Sequence, residues 1–300
     1  MTTILNNDSL VTVKEKKKYL VHFFIITGIL FTLFMYISFN SQKVIASSND
    51  NLNSFSLSGN VGIGASGNTG IGTTNPAYQV QVIADTPLAY WRLGESSGSA
   101  QASDSTGHGY NGTYNGGLTK GVSGALANNT DTAVISDGTG KITIPQLSTV
   151  TNFTIEGWSY LTDANWNSGL NYNNTLYGSY GKVRLLIRPG SSSSYNNLGY
   201  FGVWLNGAEY ALQMPANGIS NVNQWVHWSL VRTANTLTVY RNGQQVAQRT
   251  DLPSNLTADI TGGLFASNNI YYLKGKVDEV AVYTYALTQT QIQTHYNLAH

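Results

Sequence analysis

The chain has 300 residues, of which 41% are hydrophobic and only 10% charged, with a formal net charge of +1. That balance excludes an acidic disordered solvator, and with no basic patch beyond the lysines at 14–18 it lacks the electrostatic footprint of a nucleic-acid partner. Cysteine is absent, which removes disulfide scaffolds, thiolate zinc sites and cysteine nucleophiles together.

In chain order, residues 1–18 carry Lys14, Lys16, Lys17 and Lys18 and lead into an apolar segment at 19–39, YLVHFFIITGILFTLFMYISF, which has no Asp, Glu, Lys or Arg. Read as a helix rising about 1.5 Å per residue, it spans a hydrocarbon core of roughly 30 Å. Only Lys43 follows closely, so the charge asymmetry places the N-terminus in the cytoplasm and the remainder outside. Two readings stay open: a single-pass membrane anchor, or a signal peptide cleaved after Val44-Ile45-Ala46. Both give an exported chain, extracellular or at the cell surface.

Residues 40–58 read as a polar linker. Residues 59–83 read as a Gly-rich β stem, in which Asn60-Val61-Gly62-Ile63-Gly64 recurs as Asn68-Thr69-Gly70-Ile71-Gly72. Apolar residues alternating with glycine suit a tightly packed extended chain. With its continuation AYQVQV, this stretch resembles the NVGIGTTxP elements near the stems of phage tail fibres and bacterial adhesins. The resemblance implies a homotrimer formed through the stem; the alternative is a simple Gly-rich tether.

From Ala84 to His300 the pattern turns all-β, with short apolar and aromatic runs parted by turn signals. Strands are expected over 89–93, 133–135, 153–160, 183–187, 200–205, 225–232, 236–241, 244–247 and 273–283. In 225–232, WVHWSLVR, neither alternating face is wholly polar, as in a central strand. Asn242-Gly243 between two strands predicts a type I′ hairpin. Thr288 is expected to N-cap a helix through Leu298, with Ile292 and Tyr296 turned to the sandwich.

Several pieces occur in a fixed order: LAYWRLGE from Leu88, DSTGHGYNGT from Asp104, FTIEGWSY from Phe153, WVHWSLVR, then LTVYRNGQQVA, and finally DEVAVYTYALTQTQIQTHYN from Asp278. Together they resemble the laminin-G-like, concanavalin A-like jelly-roll domains of secreted bacterial and phage proteins. The resemblance covers nearly all of 84–300. It implies a two-sheet antiparallel jelly-roll sandwich with a short C-terminal helix, preceded here by the N-terminal hydrophobic helix, with the first and last strands side by side.

Members of this family often carry a structural calcium near the junction of first loop and last strand. Carried onto this chain, its ligands are Asp104, Asn111, Asp278 and the backbone carbonyls around Gly107 and Gly109, hard oxygens of the kind calcium takes. The alternative is that Asp104 and Asn111 form Asx turns while Asp278 or Glu279 pairs with Arg92 or Arg241. Strand alternation sends Asp278 and Glu279 to opposite faces.

The stretch from Asn165 to Tyr210 is dense in aromatics and amides. Trp166, Tyr172, Tyr177 and Tyr195, in loop-like sequence, are the candidates for stacking on a glycan or contacting a surface protein, whereas Tyr200 and Trp204 read as core. No catalytic residue is assigned: a glycosidase needs two carboxylates across one cleft, and Glu156 has no second carboxylate close to it in sequence. The functional expectation is an exported, non-enzymatic module for carbohydrate or cell-surface recognition. The alternatives are a structural subunit of a surface fibre, whose jelly roll mediates assembly, and a carbohydrate-active enzyme.

Overall fold

The computed structural model describes residues 77–300 apart from 128–129, 165–172 and 191–196, together with two short strands, Tyr19–Val21 and Met35–Ile37. The chain divides into two units, Met1–Thr73 and Thr74–His300. In the first, the two strands pair antiparallel with Leu20 opposite Tyr36. They fall at the ends of the segment expected as a hydrophobic helix, where Tyr, Val and Ile favour extended pairing; residues 22–34 and the repeat at 59–76 lie outside the described residues. Among the described residues no helix is long and apolar enough to cross a membrane.

The second unit is a sandwich of two eight-stranded antiparallel sheets. The first sheet runs, in spatial order, Gln244–Arg249, Thr236–Arg241, Trp225–Thr233, Phe153–Leu161, Lys274–Tyr283, Thr132–Asp137 and Leu118–Ser123, with Ala89–Trp91 also pairing on Lys274–Tyr283. The second runs Ala208–Pro215, Asn197–Leu205, Val183–Ile187, Asn174–Gly178, Gly263–Leu264, Lys141–Thr143, Gly112–Asn115 and Gln101–Ala102. The first and last long segments of the domain do meet: Trp91 lies opposite Val280 and Tyr90 opposite Ala281. The Asn242-Gly243 hairpin has both residues at positive φ, 51° and 75°, as a type I′ turn requires.

The inner faces of the two sheets share one core, built by alternation from Trp91, Ile155, Leu185, Phe201, Val203, Trp228, Leu230, Val277 and Val280, among others. A second cluster lies on the outer face of the first sheet, where two helices cover it: α1, Ala77–Ala84, and α2, Gln289–Leu298. This is why neither face of Trp225–Thr233 is polar: Val226, Trp228 and Leu230 enter the central core while Val231 packs under the helices. Helix α2 starts as the sequence predicts, with Thr288 and Gln291 closing a reciprocal capping box. Ile292 is fully buried, and the Tyr296 ring stacks 5.9 Å from that of Trp158.

Helix α1 corrects the stem boundary. AYQVQVIA reads in sequence as an extended continuation, because Tyr78, Val80 and Val82 alternate. In the fold it is helical, with Tyr78, Gln79 and Val82 buried and Val80 and Ile83 exposed. A short apolar run has no decisive period of its own, and the pocket between the Trp158 indole and Glu279 selects the helix. Trp158 Nε1 donates to Tyr78 Oη at 3.2 Å, and Gln79 Nε2 to Glu279 Oε1 at 2.7 Å.

Candidate functional site

The outer face of the second sheet carries a shallow trough that follows from simple alternation. In Asn197–Leu205, Phe201, Val203 and Leu205 point into the core, so Tyr200, Gly202 and Trp204 point outward. Cross-strand register extends each of the three. Tyr200 lies between Leu186 and Gln213, Gly202 between Arg184 and Ala211, and Trp204 opposite Glu209. Arg184 in turn lies opposite Gly178. The central row is therefore Gly178, Arg184, Gly202 and Ala211, small residues flanking one guanidinium. Tyr200 and Trp204 border this row on its two sides, four residues or about 13 Å of strand apart. Gly178 is required here, since at φ +149° a Cβ would stand 2.5 Å from the Val183 carbonyl oxygen.

Arg184 is the centre of the trough. Its guanidinium lies 4.5 Å from the Trp204 ring centroid, 5.1 Å from Tyr200 and 5.3 Å from Tyr180. Nη2 pairs with Glu209 Oε1 at 2.5 Å, while the buried Nε has no partner. The pair lies across the floor: the Glu209 carboxylate would be 3.1 Å from a Cβ on Gly202. Tyr180 is 58% exposed and packs 5.3 Å from Trp204. Burial and the Glu209 charge push the Tyr200 phenol up from its ordinary value. The arrangement offers aromatic faces, an acceptor and phenol hydroxyls on a rigid sheet, which suits a polyhydroxylated ligand with apolar faces.

The outer face of the first sheet holds a polar layer sealed under α1 and α2. His295 Nδ1 donates to Glu156 Oε1 at 2.8 Å and Nε2 to Asp85 Oδ2 at 2.9 Å, with Tyr283 Oη donating to Glu156 Oε1 at 2.9 Å. With carboxylate oxygens at both ring nitrogens, His295 is the imidazolium. Burial alone would depress it, but Glu156 and Asp85 raise it to about 9. Glu156 in return stays below the usual carboxylate range, because His295 outweighs its burial. His227 comes within 3.6 Å of Glu156, too far for a hydrogen bond, and burial lowers it to about 4, so it is neutral. Glu156, His227 and His295 are all fully buried in this layer.

The family model described as the concanavalin A-like lectin/glucanases superfamily matches residues 136–293, more than half of the chain. The chain belongs to this superfamily. Among solved structures the lectin/glucanase-like domain is similar in fold to domain 4 of AbnA, a GH43 extracellular arabinanase from Geobacillus stearothermophilus, solved with arabinotriose. That match has 18% identity and a TM-score of 0.50, and covers 71% of this chain and 98% of that one. It is also similar to the binding domain of Paraclostridial Mosquitocidal Protein 1 (15% identity, TM-score 0.54, 71% and 52% of the two chains). A third is the ligand-binding domain of botulinum neurotoxin serotype D in complex with N-acetylneuraminic acid (13%, 0.53, 72% and 52%). The chain thus spans about half the length of the toxin domains. No curated protein matches the sequence.

Against this lectin/glucanase-like scaffold the expected site residues separate. Tyr177 is no ligand contact: it is fully buried, and its hydroxyl donates to the Ile260 carbonyl at 2.7 Å. Trp166, Tyr172 and Tyr195 lie outside the described residues. The trough is instead formed by Tyr180, Arg184, Tyr200, Trp204 and Glu209. Its signal was present in sequence as Tyr200-x-Gly202-x-Trp204, set against the core-facing Phe201, Val203 and Leu205.

The expected calcium ligands also separate. Asp104 is saturated by protein donors. Its Oδ1 accepts from Tyr90 N at 3.1 Å and Thr106 N at 3.0 Å, and its Oδ2 from Tyr110 N at 3.0 Å. These bonds, Thr106 foremost, outweigh burial and hold its carboxyl below the ordinary value. The Asn111 side-chain oxygen, expected as a ligand, accepts from Asp104 N at 2.8 Å, and Gly107 and Gly109 form open turns at positive φ. A cation would have to displace N–H groups already aimed at the carboxylate, so this loop is an Asx turn and does not fit a metal.

Asp278 lies elsewhere. A bulge in Lys274–Tyr283, with Glu279 at φ 52°, adds one residue opposite Gly157, so Asp278 and Glu279 both serve the helix-covered side rather than opposite faces. Glu279 accepts from Gln79 and from the Tyr90 hydroxyl, and burial pushes it up to about 7. Asp131 pairs with Arg92 through Nη2 at 2.6 Å. Asp278 Oδ2 accepts from Ala125 N at 2.7 Å, whereas its buried Oδ1 has no partner. Asp278 and the Asp131 backbone carbonyl flank Gly124, within 2.8 Å and 3.1 Å of a Cβ there. Burial foremost, with the Glu279 charge, raises the Asp278 carboxyl well above its ordinary value.

Proposed function

We propose that this domain is a glycan-recognition module that binds its ligand in the aromatic trough of the second sheet. The observation that carries the reading is Arg184 held among Tyr180, Tyr200 and Trp204 and paired with Glu209, on the outer face of a rigid sheet. The arabinotriose and N-acetylneuraminic acid complexes of similar folds are consistent with it as analogy. The module binds and does not hydrolyse. Of the residues that form the trough only Glu209 is a carboxylate, and hydrolysis needs two, roughly 5–9.5 Å apart. The apolar segment at 19–39 and the lysines before it support export, so that the trough faces ligands outside the cell.

Screened on a glycan array, the full chain is expected to give hits that Trp204→Ala weakens by about 30-fold, the scale of a stacked aromatic anchor. Tyr177→Phe, which alters only the core, should leave the hits in place. Equal binding by wild type and Trp204→Ala would remove the trough from the reading.

A further inference from the structure

Resting on the glycan reading of the trough, we infer that the site selects uncharged sugars and excludes acidic ones, and that Glu209 is the residue that sets this preference. Three cations of this face are each matched to a carboxylate of their own, while Arg188, two residues beyond Leu186, is buried and donates to the Asn173 and Asn197 side-chain oxygens. Arg184 pairs with Glu209 at 2.5 Å, Lys182, next to the Trp204 backbone, with Asp259 at 2.9 Å, and Arg249, which bonds the Ala211 carbonyl, with Asp251 at 2.7 Å. With these pairs closed and Arg188 buried, little exposed positive charge is left to draw a carboxylate or sulfate ester.

The two members of the central pair are not equally accessible. The Arg184 side chain is 7% exposed and that of Glu209 27%. An arriving ligand therefore meets the carboxylate first, with the guanidinium stacked behind it between Tyr200 and Trp204. An anionic sugar would face a like charge before it reached Arg184, whereas a neutral hydroxyl can donate to Glu209 and leave the ion pair whole. The small floor of Gly202 and Ala211 lets Glu209 lie flat across the trough, so this carboxylate cannot be bypassed from that side. Without it the same trough becomes basic, with Arg184 unmasked between two rings.

The test uses the full-length chain against three pairs of immobilised oligosaccharides that differ only at C6: galactose, glucose and mannose series beside their uronates. Wild type is expected to bind at least one neutral series at least ~10-fold more tightly than its uronate, and Glu209→Gln to bring the two within about twofold. Glu209 is partly exposed on an edge strand, so the variant keeps the fold. A second readout needs no variant: affinity for the preferred series should stay flat between roughly 0.02 and 0.5 M salt. A uronate bound as tightly as its neutral partner, a ratio unmoved by Glu209→Gln, or a steep salt dependence would overturn the inference while leaving glycan binding intact. Silence of folded wild type on all six series would overturn both.

Discussion

Replacing His295 with leucine is expected to destabilise the domain by about 3–5 kcal/mol, the cost of removing one partner from a buried ionic network. The melting temperature should fall by roughly 10 °C for a domain of this size. His295 is the one cation between two carboxylates, Asp85 at the end of α1 and Glu156 in the first sheet, and Tyr78, Tyr283 and neutral His227 complete its surroundings. Without it Glu156 remains fully buried beside the Tyr283 and Ser229 hydroxyls and neutral His227, with no cation to balance it. The loss should depend on pH in a definite direction. His295 is raised from 6.5 in the unfolded chain to about 9 in the fold. Its contribution is then complete below pH 6.5 and lost as pH rises through 9, a window worth about 3 kcal/mol. Urea midpoints of wild type and His295→Leu should therefore be far apart at pH 6 and converge towards pH 9.5. A gap that stays constant across that range would show that His295 acts through packing and not through its charge.

The second large effect concerns the start of the domain. A chain beginning at Ala84, where the all-β pattern begins in sequence, lacks most of α1. It loses the burial of Tyr78 and Val82, together about 4 kcal/mol, and leaves Glu279 and Asp131 without the Gln79 amide that bridges them. An unmet buried acceptor adds about 1–3 kcal/mol. A total on the order of 5 kcal/mol is a large part of a typical domain's stability. Comparing Thr74–His300 with Ala84–His300 by chemical denaturation should show the shorter chain with a much lower midpoint, or insoluble. Tyr78→Ala in the full chain should reproduce about half of the loss. Equal midpoints for the two fragments would mean that α1 is an ornament on the sandwich.

These outcomes bear on what a single sequence reveals. The sandwich was legible because order and alternation repeat over many strands: the Asn242-Gly243 turn and the Thr288 N-cap follow from local patterns, and the meeting of Trp91 with Val280 from the family resemblance that the order of the motifs carries. Features that depend on tertiary context were not. AYQVQVIA mimics a strand until Trp158 and Glu279 are placed beneath it. The Glu279 bulge breaks a period of two at one residue, and nothing in DEVAVY announces it. Edge strands such as Leu118–Ser123 and Ala208–Pro215 mix exposed and half-buried residues and carry a weak pattern.

The trough lay between these cases. Tyr200 and Trp204 were read as core because aromatic strand residues usually are. Yet Phe201, Val203 and Leu205 already claimed the inner face, and a strand has only two. Arg184 sits in VRLLI as the one charge in a buried run, and such a charge needs a local partner. That partner, Glu209, arrives from a strand the pattern does not declare. The Asp104 loop, with its carboxylate and amide, resembles a cation loop in composition; only the direction of the surrounding N–H groups shows it to be closed.

The placement of α1 and α2 on one sheet and the aromatic row on the other gives the domain a back and a front. Residues 77 and 300 both belong to the back, where α1 begins and His300 packs 5.7 Å from Trp158. A dye or solid support joined to the second unit at Ala77 or at His300 is therefore expected on the side opposite the proposed trough, leaving that trough unshadowed.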